Sequence, residues 1–437
     1  MSSHSLPRLL AYGILGLPLA MAALPIYVHV PKFYSDLGLD LAAVGGLLLV
    51  ARLADAFIDP LLGLWSDQSR KWIHGRLWFV GVGMLLLAAG MFALFNPLIG
   101  AEHLALWLML SLAVVYLGFS MASVSYQAYG AELSADPHER TRITAAREGL
   151  SVIGVLLAAA LPEMFARLVG VREGFAQFAT LYVPLAMACC TIMLLMSPRP
   201  PPYSHSSASL FGFKSLVAPF ANHPFRFLLA AFLLNGIAAA IPATLVLFFV
   251  QDVIGRSDLA AVFLIAYFLA GAAGMPLWVW LARRIGKRGA WRAGMLLSVL
   301  TFIWAFTLAR GDVTAFMIIC ALSGLGLGAD LALPPSMLAD VIDYDEAKGK
   351  PRNEGAYFGL WNLVTKLNLA LAAGIALPLL SRLDYVPGAK EASAQSLTAL
   401  AAIYALLPSA LKIGAAMMLK FVPQANDVQH VLSVKRA

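Results

Sequence analysis

The chain has 437 residues, of which 60% are hydrophobic and 13% charged, with a formal net charge of +7. Apolar runs of about 20 residues, each long enough to cross about 30 Å of hydrocarbon at about 1.5 Å per residue, recur from end to end and exclude a soluble globular chain. Cys189, Cys190 and Cys320 all fall inside such runs and have neither zinc nor disulfide spacing, so they are read as small packing residues.

Twelve runs predict an all-α, polytopic membrane protein with spans over 8–30, 39–65, 76–95, 103–128, 141–167, 175–196, 224–251, 258–283, 289–308, 313–338, 353–381 and 392–421. The first run is too long for a signal-peptide core and has no small-residue cleavage pattern behind it, so it is read as span 1.

Span 2 carries "RLADAFIDPLLGLWSD", residues 52 to 67. Asp55 and Asp59 are four residues apart and share one helical face, with Arg52 a turn away as a candidate charge partner. Counted from Trp65, they lie about 15 Å and about 9 Å deep. A charge at that depth costs about 3 kcal/mol, so these side chains should face a cavity or a partner. Two carboxylates on one face suit Na⁺, or a proton shared between them. The alternative is an Arg52–Asp55 pair that only locks the span, which would leave Asp59 unexplained. After span 2, "GLWSDQSRKWIHGR" places Gly63, Asp67, Arg70 and Arg76 at a membrane-edge turn, suited to closing one side in one conformation. Plain flanking basic residues are the alternative.

Span 4 has a polar strip of Ser120, Ser123, Tyr126 and Gln127, followed by Glu132. Hydroxyls in such strips often bond their own helix. Span 5 opens with Arg140, Arg142, Arg147 and Glu148; Arg147, about one turn inside, could meet the span 2 carboxylates or an anionic substrate. "SPRPPPYSHSSASLFGFK" (197–214) is the one plausible linker, dividing the chain into an N-terminal six-helix bundle (1–196), a linker (197–223), a C-terminal six-helix bundle (224–421) and a tail (422–437).

Span 10 holds Asp330 and exits through "DVIDYDE" with Asp340 and Asp343, a gate or turn. Span 11, "GLWNLVTKLNLAL", carries Trp361, Asn362, Thr365 and Lys366. Lys366 is too deep to snorkel easily; it is either part of a substrate site or a structural cation paired with Asp330.

If both termini share one side, that side collects 21 of the 31 Lys and Arg residues, and the opposite loops hold seven. The positive-inside rule then places both termini in the cytoplasm and explains the basic excess without a nucleic-acid partner. The segment from Pro60 resembles that from Pro276, and the segment from Ala131 resembles that from Leu338, both offsets being close to half the chain. Duplicated bundles of this kind enclose a substrate cavity near the midplane.

Taken together, "ARLADAFIDPLLGLWSD", "YGAELSADPHERTRITAAREG" and "MLADVIDYDEAKGKPRNEGAYFGLWNLVTKLNLAL" resemble the glycoside-pentoside-hexuronide:cation symporter family, the melibiose-permease-like group of the major facilitator superfamily. The resemblance spans most of the chain. It implies twelve transmembrane helices in two pseudo-symmetric six-helix bundles, alternating access, and import of a small solute coupled to Na⁺, H⁺ or Li⁺ in a bacterial inner membrane. By the same resemblance Asp55 and Asp59 match the family's cation carboxylates, Ser120 a hydroxyl near that cation, and Arg147 and Lys366 basic residues at the substrate. Ala20, Ser123 and Gln127 depart from it, standing where melibiose-type members carry an Asp, an Asp or Asn, and a Trp.

A site that recognises sugar hydroxyls needs buried hydrogen-bonding groups. The replacements therefore open the way to an amphiphilic solute such as a lysolipid, carried by animal proteins that also resemble this family. An uncoupled facilitator or exporter on the same fold is a further alternative. An intramembrane prenyltransferase-like enzyme is remote, because Asp55 and the 340–346 acids lie at different depths. No cofactor beyond the coupling ion is expected, the partners are the solute and membrane lipids, and the chain is read as a monomer.

Overall fold

The computed structural model describes residues 5–39, 41–69, 75–98, 103–200, 217–348, 353–383, 385 and 393–422. Among them every regular element is helical. In chain order these are α1 (Leu6–Gly13), α2 (Gly16–Asp36), α3 (Leu41–Ser69), α4 (Gly75–Phe95), α5 (Leu104–Glu132), α6 (Pro137–Val169), α7 (Val171–Met196), α8 (His223–Phe248), α9 (Ala260–Ala305), α10 (Val313–Ala347), α11 (Glu354–Arg382), α12 (Ala394–Ala401) and α13 (Leu407–Met418). The backbone groups of a helix satisfy one another, which is why helices can cross hydrocarbon.

Ten helical stretches are long and apolar enough to cross a membrane. One of them, Ser257–Ala305, has 49 residues and would run about 74 Å if straight, more than twice a bilayer core. It is interrupted at Gly286, whose φ of 77° and ψ of 158° are open to glycine, so that spans 8 and 9 share one continuous stretch. Span 1 is broken as well, between α1 and α2 at Ile14 and Leu15.

The chain forms two compact units, one of residues 1–219 with 351–363, the other of 220–350 with 364–437. In the first, α4 and α5 approach through small residues: a methyl group on Gly83 would sit 2.6 Å from the Ala122 amide nitrogen, and one on Gly118 2.4 Å from that of Leu87. Membrane helices lack a water-driven hydrophobic force between them and rely on such close packing. Phe33, Phe95, Phe175 and Phe178 form an aromatic core across α2, α4 and α7. Asp136 caps α6 by accepting from the His138 amide at 2.9 Å, with Pro137 at the first helical position, where its missing N–H costs nothing.

In the second unit Phe249 stacks on Tyr404 with centroids 4.1 Å apart, and Phe263 and Phe316 meet edge to face. Phe249 opens a π-helical stretch, Phe249–Ile254, and Tyr404 lies in another, Ala402–Leu406, which joins α12 to α13. Residues 201–216 of the predicted linker and 423–437 of the predicted tail lie outside the described residues. The linker's first residues are tied to the first unit, where the Tyr129 hydroxyl donates to the Pro198 carbonyl at 2.6 Å.

Candidate cation and substrate site

Asp55 and Asp59 lie one turn apart on α3, 3% and 0% exposed. The Ser120 hydroxyl, from α5, donates to Asp55 Oδ1 at 2.6 Å. Pro60 has no N–H to offer the carbonyl of residue 56, so the backbone ladder of α3 is interrupted within the turn that carries both aspartates. Asp55 and Ser120 thus bring oxygens together in a dry setting, the ligand type preferred by a small hard cation. Two ionised carboxylates buried one turn apart repel one another. Ser123, expected beside them, is turned toward its own helix, with its hydroxyl 3.5 Å from the Ser120 carbonyl. The side chain of Arg52 lies outside the described residues.

Other expected site residues take several positions. The Gln127 amide donates to Asn362 Oδ1 at 3.1 Å, bringing two of them together within the first unit, and Trp361 is buried beside Asn362 in the sequence. Tyr126 is placed differently from the expectation of a substrate contact. It is 1% exposed and its hydroxyl enters the break in span 1, donating to the Tyr12 carbonyl at 2.7 Å. The two tyrosine rings lie 4.6 Å apart. A side chain inserted into the helical ladder is a physical cause of such a break. Thr365 is exposed and Lys366 half-buried on the part of α11 that belongs to the second unit.

Arg147 corrects a second expectation. Instead of meeting the α3 carboxylates, its Nε donates to Oε1 of Glu148 at 2.9 Å and its Nη2 reaches the same oxygen.

The predicted gate residues converge in the first unit. Arg76, 4% exposed, donates from Nη2 to Asp67 at 2.5 Å, from Nε to Glu132 at 2.8 Å and from Nη1 to Ser66 at 2.8 Å; Glu354 lies 3.5 Å from Nη2. Asp67 in turn accepts from the backbone amides of Gly355 at 2.8 Å and Ala356 at 3.1 Å. A carboxylate on the first amides of α11 satisfies donors that the helix itself cannot, and its charge complements the helix dipole. The fit requires glycine at both contact points, since a methyl group on Gly63 would lie 2.0 Å from the Gly355 carbonyl oxygen, and the reverse holds equally. Arg70 lies outside the described residues.

In the second unit Asp340 pairs with Lys287 at 2.6 Å, and Asp343 is half-buried nearby in the sequence. Asp330 corrects a third expectation. Its ion pair is made with Lys412 of α13, at 2.8 Å to Oδ2, while Trp291 donates to Oδ1 at 2.8 Å, so the partner is Lys412 and not Lys366. Lys412 also donates to Asn235 at 2.8 Å.

Reading the sequence missed Glu354, Lys287, Lys412, Asn235 and Trp291. The internal repeat holds a signal for one of them. Glu132 and Asp340 occupy corresponding places in the two repeats, so the basic partner of the first predicts a basic partner for the second.

Residues 9–425 match the family of MFS/sugar transport proteins. Among curated relatives, the chain is 26% identical to a putative sulfoquinovose importer of Salmonella typhimurium, covering 97% of this chain and 90% of that one. It is 24% identical to an isoprimeverose transporter of Lactiplantibacillus pentosus, covering 86% and 80%. It is also 24% identical to the mouse sodium-dependent lysophosphatidylcholine symporter 1, covering 76% and 69%. Among solved structures, the Escherichia coli fucose:proton symporter superposes with a TM-score of 0.71 at 13% identity, over 96% of this chain and 98% of that one, a likeness of fold. The chain belongs to the MFS/sugar transport family: it is an integral, multi-pass secondary transporter of the major facilitator fold.

Proposed function

We propose that the protein is a symporter that imports a small, sugar-like solute by alternating access, driven by Na⁺ or H⁺ bound at Asp55 and Asp59. The observation that carries this reading is the buried pair of aspartates one turn apart on α3, with the Ser120 hydroxyl 2.6 Å from Asp55. A charge buried there without compensation costs several kcal/mol, on the order of the penalty for an ion in a low-dielectric interior. The occupied and empty sites therefore differ enough in energy to bias one conformation over another. Names among the relatives support solute import, and one of them is sodium-dependent. Gln127, Trp361 and Asn362, with Arg147 on α6 and Thr365 and Lys366 further along α11, supply the polar and aromatic groups that would hold the solute.

The knot of Arg76, Asp67, Glu132 and Glu354 acts as a gate that holds one side shut and must open in each cycle. Asp340 and Lys287 have the corresponding role in the second unit. The distribution of basic residues supports placing these gates and both termini on the cytoplasmic side of a bacterial inner membrane. The protein works as a monomer, without catalysis and without a cofactor other than the coupling ion.

A second reading, an amphiphilic or lysolipid cargo on the same machinery, is favoured by Ala20, which puts a methyl group where melibiose-type members carry a carboxylate, and by the mouse relative. The test is uptake into proteoliposomes under an imposed Na⁺ or H⁺ gradient, over a panel of glycosides and lysolipids. Asp55→Asn and Asp59→Asn should each abolish gradient-driven accumulation while solute exchange survives. Normal accumulation in both variants sinks the symport reading.

A further inference from the structure

Arg147 is the strongest cation among the expected solute residues of the first unit, and the structure gives it a counter-charge from its own neighbour. Consecutive residues on a helix point about 100° apart and do not ordinarily face each other. Here both side chains bend until Nε and Nη2 of Arg147 close on one oxygen, Oε1 of Glu148, at 2.9 and 2.5 Å. The arginine side chain is 8% exposed and the glutamate 19%, so the carboxylate is the more open of the two.

The pair lies beside the break in span 1. Methyl groups on Gly13 and Gly16 would lie 2.7 Å from the Ala146 and Arg147 carbonyl oxygens, so the ends of α1 and α2 rest directly on this turn of α6. The Tyr126 hydroxyl fills the break itself. Interrupted helices mark solute sites in transporters because the backbone there is freed for recognition. At the same time the first unit has Ala20 and Ser123 at the two places where melibiose-type members carry polar acceptors. Glu148 restores one acidic group, one residue from the arginine.

We infer that Glu148 determines the charge class of the solute: it cancels the charge of Arg147 and presents its other oxygen, Oε2, to solute hydroxyls, so that the site takes an uncharged polyhydroxylated solute in preference to a carboxylate, sulfonate or phosphate. An anion would have to displace Glu148 from Arg147 and leave a carboxylate uncompensated in a nearly dry site. Discrimination by an unpaired buried charge is steep, whereas a neutral glycoside keeps the pair intact. This inference rests on the solute-transporter reading proposed above and names the chemistry of its cargo.

The test uses full-length protein in detergent and two matched pairs of probes, methyl glucoside with methyl glucuronide and methyl galactoside with methyl galacturonide. The readout is the ratio of the neutral to the anionic dissociation constant within a pair, obtained from ligand-induced thermal stabilisation. Wild-type protein is expected to favour the neutral member. Glu148→Gln keeps the shape and removes the charge, and should shift the ratio toward the anion by about tenfold or more. Glu148→Asp should restore most of the neutral preference, which a merely structural defect would not do. A wild-type preference for the anion, binding of neither member, or a ratio in Glu148→Gln within about twofold of wild type overturns the inference. The parent reading fails separately, through cation-driven uptake that survives Asp55→Asn.

Discussion

The two membrane-edge corners at Arg76 and at Lys287 lie in the two segments that resemble each other and are built differently. At the first, one guanidinium holds Asp67, Glu132 and Ser66 and approaches Glu354, while Asp67 also takes two backbone amides. At the second, one ammonium holds Asp340 and the Ser336 carbonyl at 3.3 Å. Arg283 stands where the repeat would put the counterpart of Asp67, so the second corner has no carboxylate at that position. A planar fork with five donors can organise several acids at once, whereas an ammonium offers three donors from a single point. The chemistry of the cation, fork or ammonium, sets how one residue can organise the acids around it at such a corner.

The sharpest way to break this comparison is Arg76→Met, which removes the guanidinium that three buried acidic side chains share. We expect a loss of about 3–5 kcal/mol, read as a large drop in the melting temperature of the purified protein, or no folded protein at all. Arg76→Lys should recover only a minor part of that loss, because an ammonium cannot reproduce the fork, while Lys287→Arg should be tolerated. Equal melting shifts for the two exchanges would end the distinction between the corners.

Gly355→Ala comes next. Its added methyl group would meet the Gly63 carbonyl at 2.0 Å, and overpacking of this kind costs about 1–3 kcal/mol. The measurement is again the melting temperature, with Gly374→Ala as control, since a methyl group there meets nothing within 4 Å. Lys287→Met should cost about 1–3 kcal/mol, less than Arg76→Met, because the side chain of Asp340 is 13% exposed where those of Asp67 and Glu132 are 2% and 4% exposed. The smallest effect belongs to Arg256→Ala. Its pair with Asp258 is 2.8 Å long but lies between side chains 46% and 61% exposed, so the melting temperature should not move.

Much of the molecule was legible in the chain because hydropathy and charge are local properties. Runs of apolar residues mark spans whatever their neighbours are, and the four-residue spacing of Asp55 and Asp59 sets them on one face of α3 before any packing is known. The family resemblance singled out Ser120 in the same way, and its hydroxyl does meet Asp55. Legibility stopped where a side chain had to choose among partners. Lys366 stood out as a cation deep within a span, yet Asp330 pairs with Lys412. Arg147 was free to turn toward α3 and turned to Glu148 instead. Tyr126 belonged to a polar strip that suggested solute contact, and its hydroxyl fills a break in another helix.

By itself the sequence determined the helical class, the membrane-crossing character and the place of Asp55 and Asp59 on one turn of a helix, because each depends on residues near one another along the chain. Only the tertiary structure decided which charges neutralise which. Arg76 reaches Glu132 across 56 positions and Glu354 across 278, and such a meeting depends on how each helix is rotated and how closely its small residues let a neighbour approach. Those rotations follow from packing over whole helix faces, and that is why the partner of a buried charge was written in the fold and not in any one segment.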